Sequence, residues 1–130
     1  MIVDSSAILA ILLEEPEGNL LDVAILKRDD PRMSAAGLLE ASMILQSRRG
    51  ADSVRDLDLL IVRFKIQIVP FTESQARIAR RAFERYGKGR HPAQLNFGDC
   101  MSYALAKETG EELLFKGTDF GQTDIAVALY

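Results

Sequence analysis

Short strand-like runs separated by long helix-patterned stretches constrain this chain more than any other feature. Met1–Val3, Ile66–Val69 and Leu113–Phe115 are brief apolar runs, and Pro31–Ser34 is a fourth short segment of the same length class. Continuous apolar runs of this size suit strands buried on both faces. Between them the spacing predicts helices over Ala7–Leu13, Leu20–Lys27, Ser34–Arg49, Ser53–Phe64, Thr72–Tyr86 and Phe97–Thr109. Strands linked through helices do not form hairpins, so the pattern implies an α/β fold: a parallel sheet with helices on both faces. Ile125–Ala128 is a candidate fifth strand.

The ends of these elements carry matching signals. Asp4-Ser5-Ser6 offers capping chemistry to the first helix, Ser34 to the third, and Asn96 to the last. Thr72-Glu73-Ser74-Gln75 has the spacing of a capping box. Gly50 and Gly110 stop the helices before them, and Pro70 ends the run at Val69. Within Ser53–Phe64 one side collects Val54, Leu57, Leu60 (or Ile61) and Phe64.

At 130 residues, 48% of them hydrophobic, the chain is expected to form a single domain over 1–130 with a core that needs no covalent staple. One cysteine, Cys100, permits no internal disulfide and no thiolate metal site, and fits a reducing, cytoplasmic setting. One histidine, His91, closes off multi-histidine zinc chemistry. Ala7–Leu13 is too short to span a bilayer and no basic leader precedes the first strand, so neither a signal peptide nor a membrane anchor is expected.

The net charge of −3 argues against bulk nucleic-acid binding, but its distribution is uneven. From Arg77 to His91, Arg77, Arg80, Arg81, Arg85, Lys88 and Arg90 stand against Glu84 alone, a local balance of +5 that leaves −8 for the rest. A basic segment beside an acidic pocket is what a nuclease requires, because cationic side chains hold the phosphates. The plainer reading is a solvated helix face.

Four carboxylates define that pocket. Asp4 follows the first strand, Asp119 follows the fourth, and Glu40 and Asp99 lie early in helices that leave the same sheet edge. Ligands of open parallel sheets bind beyond the carboxyl ends of the strands. Each acid also has an ordinary explanation: Asp4 and Asp99 as helix-capping or first-turn acids, Asp119 as a turn residue, Glu40 as a helix-edge residue. Glu40 resists its explanation most, since Ala36, Gly37, Met43 and Ile44 are its helical neighbours. Asp124 is the alternative to Asp119. Acids gathered without cations raise one another's pKa values, and a divalent ion removes the repulsion. Mg²⁺ or Mn²⁺ takes oxygen ligands at about 2.1 Å with water completing the shell.

Ile2-Val3-Asp4-Ser5-Ser6, the Ser34–Glu40 helix opening, Asn96-Phe97-Gly98-Asp99, and the run from Leu113 to Phe120 together resemble PIN-domain ribonucleases, more narrowly the VapC toxins of toxin–antitoxin modules. The resemblance runs the whole chain and implies a three-layer α/β/α sandwich with a parallel sheet of order 3-2-1-4-5. It implies that Asp4, Glu40, Asp99 and Asp119 ligate Mg²⁺ or Mn²⁺ and that Ser6 orients those acids. The activity implied is water-driven in-line cleavage of RNA, leaving a 5′-phosphate and a 3′-hydroxyl. The partners implied are a second copy in a homodimer and a cognate VapB-type antitoxin. Many relatives carry another acid where this chain has Gly117. Arg80, Arg81, Arg85, Lys88 and Arg90 are the expected RNA contacts. The Gly87–Pro92 loop is expected near the active edge, with His91 a loop residue and Cys100 helix filler.

Three other readings compete. A phosphoacceptor receiver domain needs an acid pair after the first strand and an acceptor Asp after the third, where this chain has serines and Pro70-Phe71. A silent PIN-like binding module would have no use for four acids. An RNA-processing nuclease without an antitoxin shares the site and differs only in partner.

Overall fold

The computed structural model describes Met1 to Tyr130 throughout. Its frame is a parallel sheet in the order β3-β2-β1-β4, built from β1 (Ile2–Val3), β2 (Arg32–Ser34), β3 (Gln67–Val69) and β4 (Leu113–Leu114). Ile2 pairs with Arg32 on one side and with Leu113 on the other, and Arg32, Met33 and Ser34 pair with Gln67, Ile68 and Val69. The expected order 3-2-1-4 holds. The fifth strand shrinks to one parallel bridge, Leu113 with Val127, flanked by hydrogen bonds from Leu113 N–H to the Ala126 carbonyl and from Ala128 N–H to the Leu113 carbonyl. The strand it would follow is itself only two residues long, so there is little ladder to extend.

Successive strand residues face opposite ways and nucleate two cores of similar size. Val3, Met33 and Leu114 point into a cluster of 17 buried residues with α1 (Ser5–Leu12), α2 (Gly18–Leu26), α3 (Ala35–Arg49) and α4 (Val54–Arg63). Ile2 and Leu113 point into a cluster of 15 with α5 (Glu73–Tyr86) and α6 (Phe97–Thr109). Both faces of the sheet are therefore covered, which is why its strands read as unbroken apolar runs. Ile2, Leu113 and Leu114 are fully buried, and each such side chain contributes about 1.5–3 kcal/mol of transfer free energy.

The helix ends follow their capping signals, with two adjustments. Ser34 accepts from Ala36 N–H at 3.2 Å and Gly50 closes α3. Residues Ala51–Ser53 form a separate 3₁₀ turn, so α4 begins at Val54; Ser53 uses its hydroxyl on the Gly50 carbonyl. Thr72 caps α5 by accepting from Gln75 N–H, but Gln75 does not answer it. Its buried amide donates instead to Glu108 on α6 at 2.9 Å, so half the predicted capping box is spent on joining two helices. No helix is long and apolar enough to cross a membrane.

The sheet order changes direction between β1 and β4. The chain leaves β1 at Asp4 and leaves β4 at Phe115, and the two exits are tied by Asp4 N–H to the Leu114 carbonyl at 2.9 Å. That edge holds the acidic residues.

Candidate metal centre and nucleic-acid face

Asp4 is both a cap and an open ligand. One oxygen, Oδ2, accepts from Ser6 N–H at 2.9 Å at the start of α1. The side chain is 2% exposed, and its other oxygen, Oδ1, is buried with no hydrogen-bond partner. A desolvated carboxylate oxygen without a donor is costly.

Asp99 divides its oxygens the same way. Asn96 and Asp99 form a reciprocal box at the head of α6: Asn96 Oδ1 accepts from Asp99 N–H, and Asp99 Oδ2 accepts from Asn96 N–H, both at 2.9 Å. Burial pushes its carboxyl up to about 6; the Asn96 bond works against that rise, and the charges of Asp4, Asp119 and Glu40 add to it. Those three charges place all four acids in one electrostatic neighbourhood.

Glu40 reaches the site from α3. Burial raises its pKa above the ordinary glutamate range, a bond from the Ser5 hydroxyl to Oε1 opposes the shift, and Asp4 reinforces it. Asp119 is exposed, precedes the short turn Phe120–Gln122, and makes no capping bond to it. Its approach runs through Gly117 at φ +109°, a conformation that disfavours any other residue. An acidic side chain at this position would be strained here.

The serine hydroxyl that bonds one of these acids is that of Ser5, while Ser6 meets Asp4 through its backbone N–H. Ser6 Oγ accepts from Lys116 N–H at 3.0 Å, fastening the start of α1 to the segment beyond β4, whereas buried Ser5 donates to Glu40. Sequence reasoning missed Ser5 because two adjacent serines look alike until the helix start is known. It also assigned no role to Gly98, whose missing side chain leaves room for the Glu40 carboxylate.

Asp124 lies in a different environment. Its Oδ1 accepts from the Tyr103 hydroxyl at 2.6 Å and its Oδ2 from the Lys107 ammonium at 2.7 Å. Lys107 first and Tyr103 second hold its carboxyl below the usual range. Cys100 is 5% exposed, and burial, with Asp99 beside it, pushes its thiol up to about 11, the opposite of an activated nucleophile. His91 folds its loop inward: Nδ1 accepts from Ala93 N–H at 3.1 Å and the ring meets Tyr86 edge-on.

No three His, Cys, Asp or Glu side chains stand, as placed, in a group that could hold a metal ion. The orphaned Asp4 oxygen and the carboxyls of Asp99 and Glu40, raised first by burial, fit a hard divalent ion by donor type, charge and burial.

The exposed cations of the basic segment border several depressions. Arg77 is paired with Glu73 at 2.7 Å. Arg80 borders an apolar groove of about 450 Å³ between α5 and α6, lined by Phe71, Phe83, Phe97 and Met101. Arg81 and Arg85 border a separate depression with Tyr103 and Lys107, and Arg85 covers the Tyr86 ring. Lys88 and Arg90 are exposed in the loop before α6, with the Arg90 guanidinium 5.4 Å from the Phe83 ring centre. This loop lies beside the Asp119 turn, since Gln122 donates to the Pro92 carbonyl at 3.4 Å.

Residues 1–126 match the family model described as PIN domain. A ribonuclease VapC of Mycolicibacterium smegmatis is 49% identical over 128 residues, covering 97% of this chain and 98% of that protein. The crystal structure of the Mycobacterium tuberculosis toxin VapC20, described as cleaving the sarcin–ricin loop, superposes with a TM-score of 0.80 at 15% identity, over 96% of this chain and 95% of that one. A toxin–antitoxin complex from Klebsiella pneumoniae has a TM-score of 0.70 at 15% identity, over 99% and 97% of the two chains.

Proposed function

The chain belongs to the PIN domain family, and from that premise we propose that it is a divalent-metal-dependent endoribonuclease of the VapC toxin type. The observation that carries the reading is Asp4: a buried carboxylate with one unpartnered oxygen, whose charge bears on both Glu40 and Asp99. Asp4, Glu40, Asp99 and Asp119 are the residues that would hold Mg²⁺ or Mn²⁺. Asp124 is not among them, because both its oxygens are engaged by Tyr103 and Lys107. Gly117 adds no ligand, so water has a larger share of the coordination.

When bound, the ion supplies the neutralising charge and the activated water that phosphodiester hydrolysis needs. The chain's own residues do the rest. The helix caps at Asp4 and Asp99 fix one oxygen of each acid and leave the other for a ligand. Lys88 and Arg90, in the loop next to the Asp119 turn, contact RNA phosphates near the cut; Arg80, Arg81 and Arg85 contact them farther along α5. The reading includes a homodimer and a cognate VapB-type antitoxin, in keeping with a fold shared with the Klebsiella pneumoniae toxin–antitoxin complex.

Cleavage of total cellular RNA by purified, antitoxin-free protein tests the proposal, with Mn²⁺, with Mg²⁺ and with EDTA. Cutting that needs the ion and disappears in Asp99→Asn upholds it. Cutting that persists in EDTA or in Asp99→Asn overturns the metal assignment.

A further inference from the structure

We infer that Ser5 and Gly98 form a seat for the Glu40 carboxylate, so that both are positioning residues for the nuclease site; the inference rests on the reading of Glu40 as a metal ligand. Glu40 starts on α3, and its carboxylate crosses to the first turn of α6. A side chain at Gly98 would meet it directly: a Cβ there would lie 1.7 Å from Oε2, 2.5 Å from Cδ and 2.8 Å from Oε1. Those separations are far inside van der Waals contact, so the glycine and the carboxylate occupy complementary space.

Nothing in the backbone asks for glycine at this position. Gly98 lies within a regular helix and is absent from the positive-φ residues, unlike Gly117 or Gly110. Alanine would favour the helix more. The remaining reason is room for Glu40, at the helix end where the backbone dipole attracts an anion. The carboxylate is also held by Ser5, buried at the first position of α1, whose hydroxyl donates to Oε1. Without this seat the like charges of Asp4 and Asp99 would drive a flexible Glu40 outward. The seat therefore joins α1, α3 and α6 around one ligand.

Because the group that Gly98→Ala would strike is the far end of a flexible side chain, the variant should expel the carboxylate and keep the fold. Mn²⁺ titration calorimetry on the full chain, with metal-free melting and metal-free crystal structures, tests this. Gly98→Ala should lower Mn²⁺ affinity roughly tenfold or more, leave the metal-free Tm unchanged or higher, and show Glu40 turned away in the crystal. Ser5→Ala should lower affinity in the same direction and Ser5→Thr should restore it. Added to Glu40→Ala, Gly98→Ala should cost nothing further. The inference is overturned if Gly98→Ala binds Mn²⁺ like the parent, if it costs as much in the Glu40→Ala background, or if Glu40 stays in place. Should the parent protein take up no Mn²⁺, the metal reading fails, and the crystal pair alone decides the seat. Should Gly98→Ala not fold, the Ser5 series decides it: unchanged affinity in Ser5→Ala, or no rescue by Ser5→Thr, sinks the seat.

Discussion

The two edges of the sheet treat the same residue type in opposite ways. At the edge where strands begin, Glu111 pairs with Arg32 and with the Met1 ammonium group, and Glu112 pairs with Arg28 at 2.6 Å. At the edge where strands end, Asp4, Glu40, Asp99 and Asp119 have no cation from the chain. The lysine nearest in sequence, Lys116, is turned to Glu15, with Glu17 at 3.7 Å. One edge neutralises its acids internally and spends them on stability. The other leaves its acids without a partner cation, and there the pKa values of Glu40 and Asp99 are raised, by burial first and by neighbouring acids after it.

Removing an acid from each edge should therefore do different things. Asp99→Asn should lower RNA cleavage roughly 10²-fold or more. Its remaining amide oxygen can still accept from Asn96 N–H, so the metal-free melting temperature should hold or rise. A drop in melting temperature would make Asp99 structural like Glu111. Saturating Mn²⁺ should stabilise the parent protein by about 2.7 kcal/mol at a hundred times Kd, and EDTA should reverse it; an ion-independent melt would erase the contrast between edges.

Glu111→Gln should cost about 1–2 kcal/mol, since Arg32 and the terminal ammonium lose a common partner. Cleavage and Mn²⁺ affinity should not change, and any loss of either would link the two edges. Asp119→Lys supplies the acidic edge with its own cation. The metal-free Tm should rise by about 2–4 °C while the Mn²⁺-dependent shift shrinks; a fall would mean that Asp119 does not share the field of the other acids.

A last test is in pH. Asp99 sits near 6 in the folded protein and near the ordinary value of roughly 4 when unfolded. Between these values the folded chain binds more protons, so stability in the absence of metal rises as pH falls across that window and declines as pH climbs through it. Melting the parent and Asp99→Asn in EDTA at pH 7.5 and pH 5 isolates the contribution. Parallel curves would remove Asp99 from the set of raised acids.

Much of this was legible beforehand because it depends on local pattern. The capping residues Ser34, Asn96 and Thr72 lie where predicted, and the parallel sheet follows from helices placed between short apolar runs, whereas its strand order was implied only by the family resemblance. Long-range partners were not legible. Gln75 has the spacing of a capping box, yet its amide goes to Glu108. Nor was it legible that Arg80 borders the apolar groove beside Phe83 and Phe97 while Arg81 and Arg85 border the depression beside Tyr103 and Lys107.

Sequence alone determined the elements, the parallel sheet and the set of acids at its carboxyl edge, because capping, periodicity and strand length are local properties. Tertiary structure decided which serine holds Glu40, why residue 98 is glycine, and why Asp119 rather than Asp124 remains unpaired. Each of those depends on a contact between segments distant along the chain. Such contacts are set by how helices cross over the sheet, which no local pattern encodes.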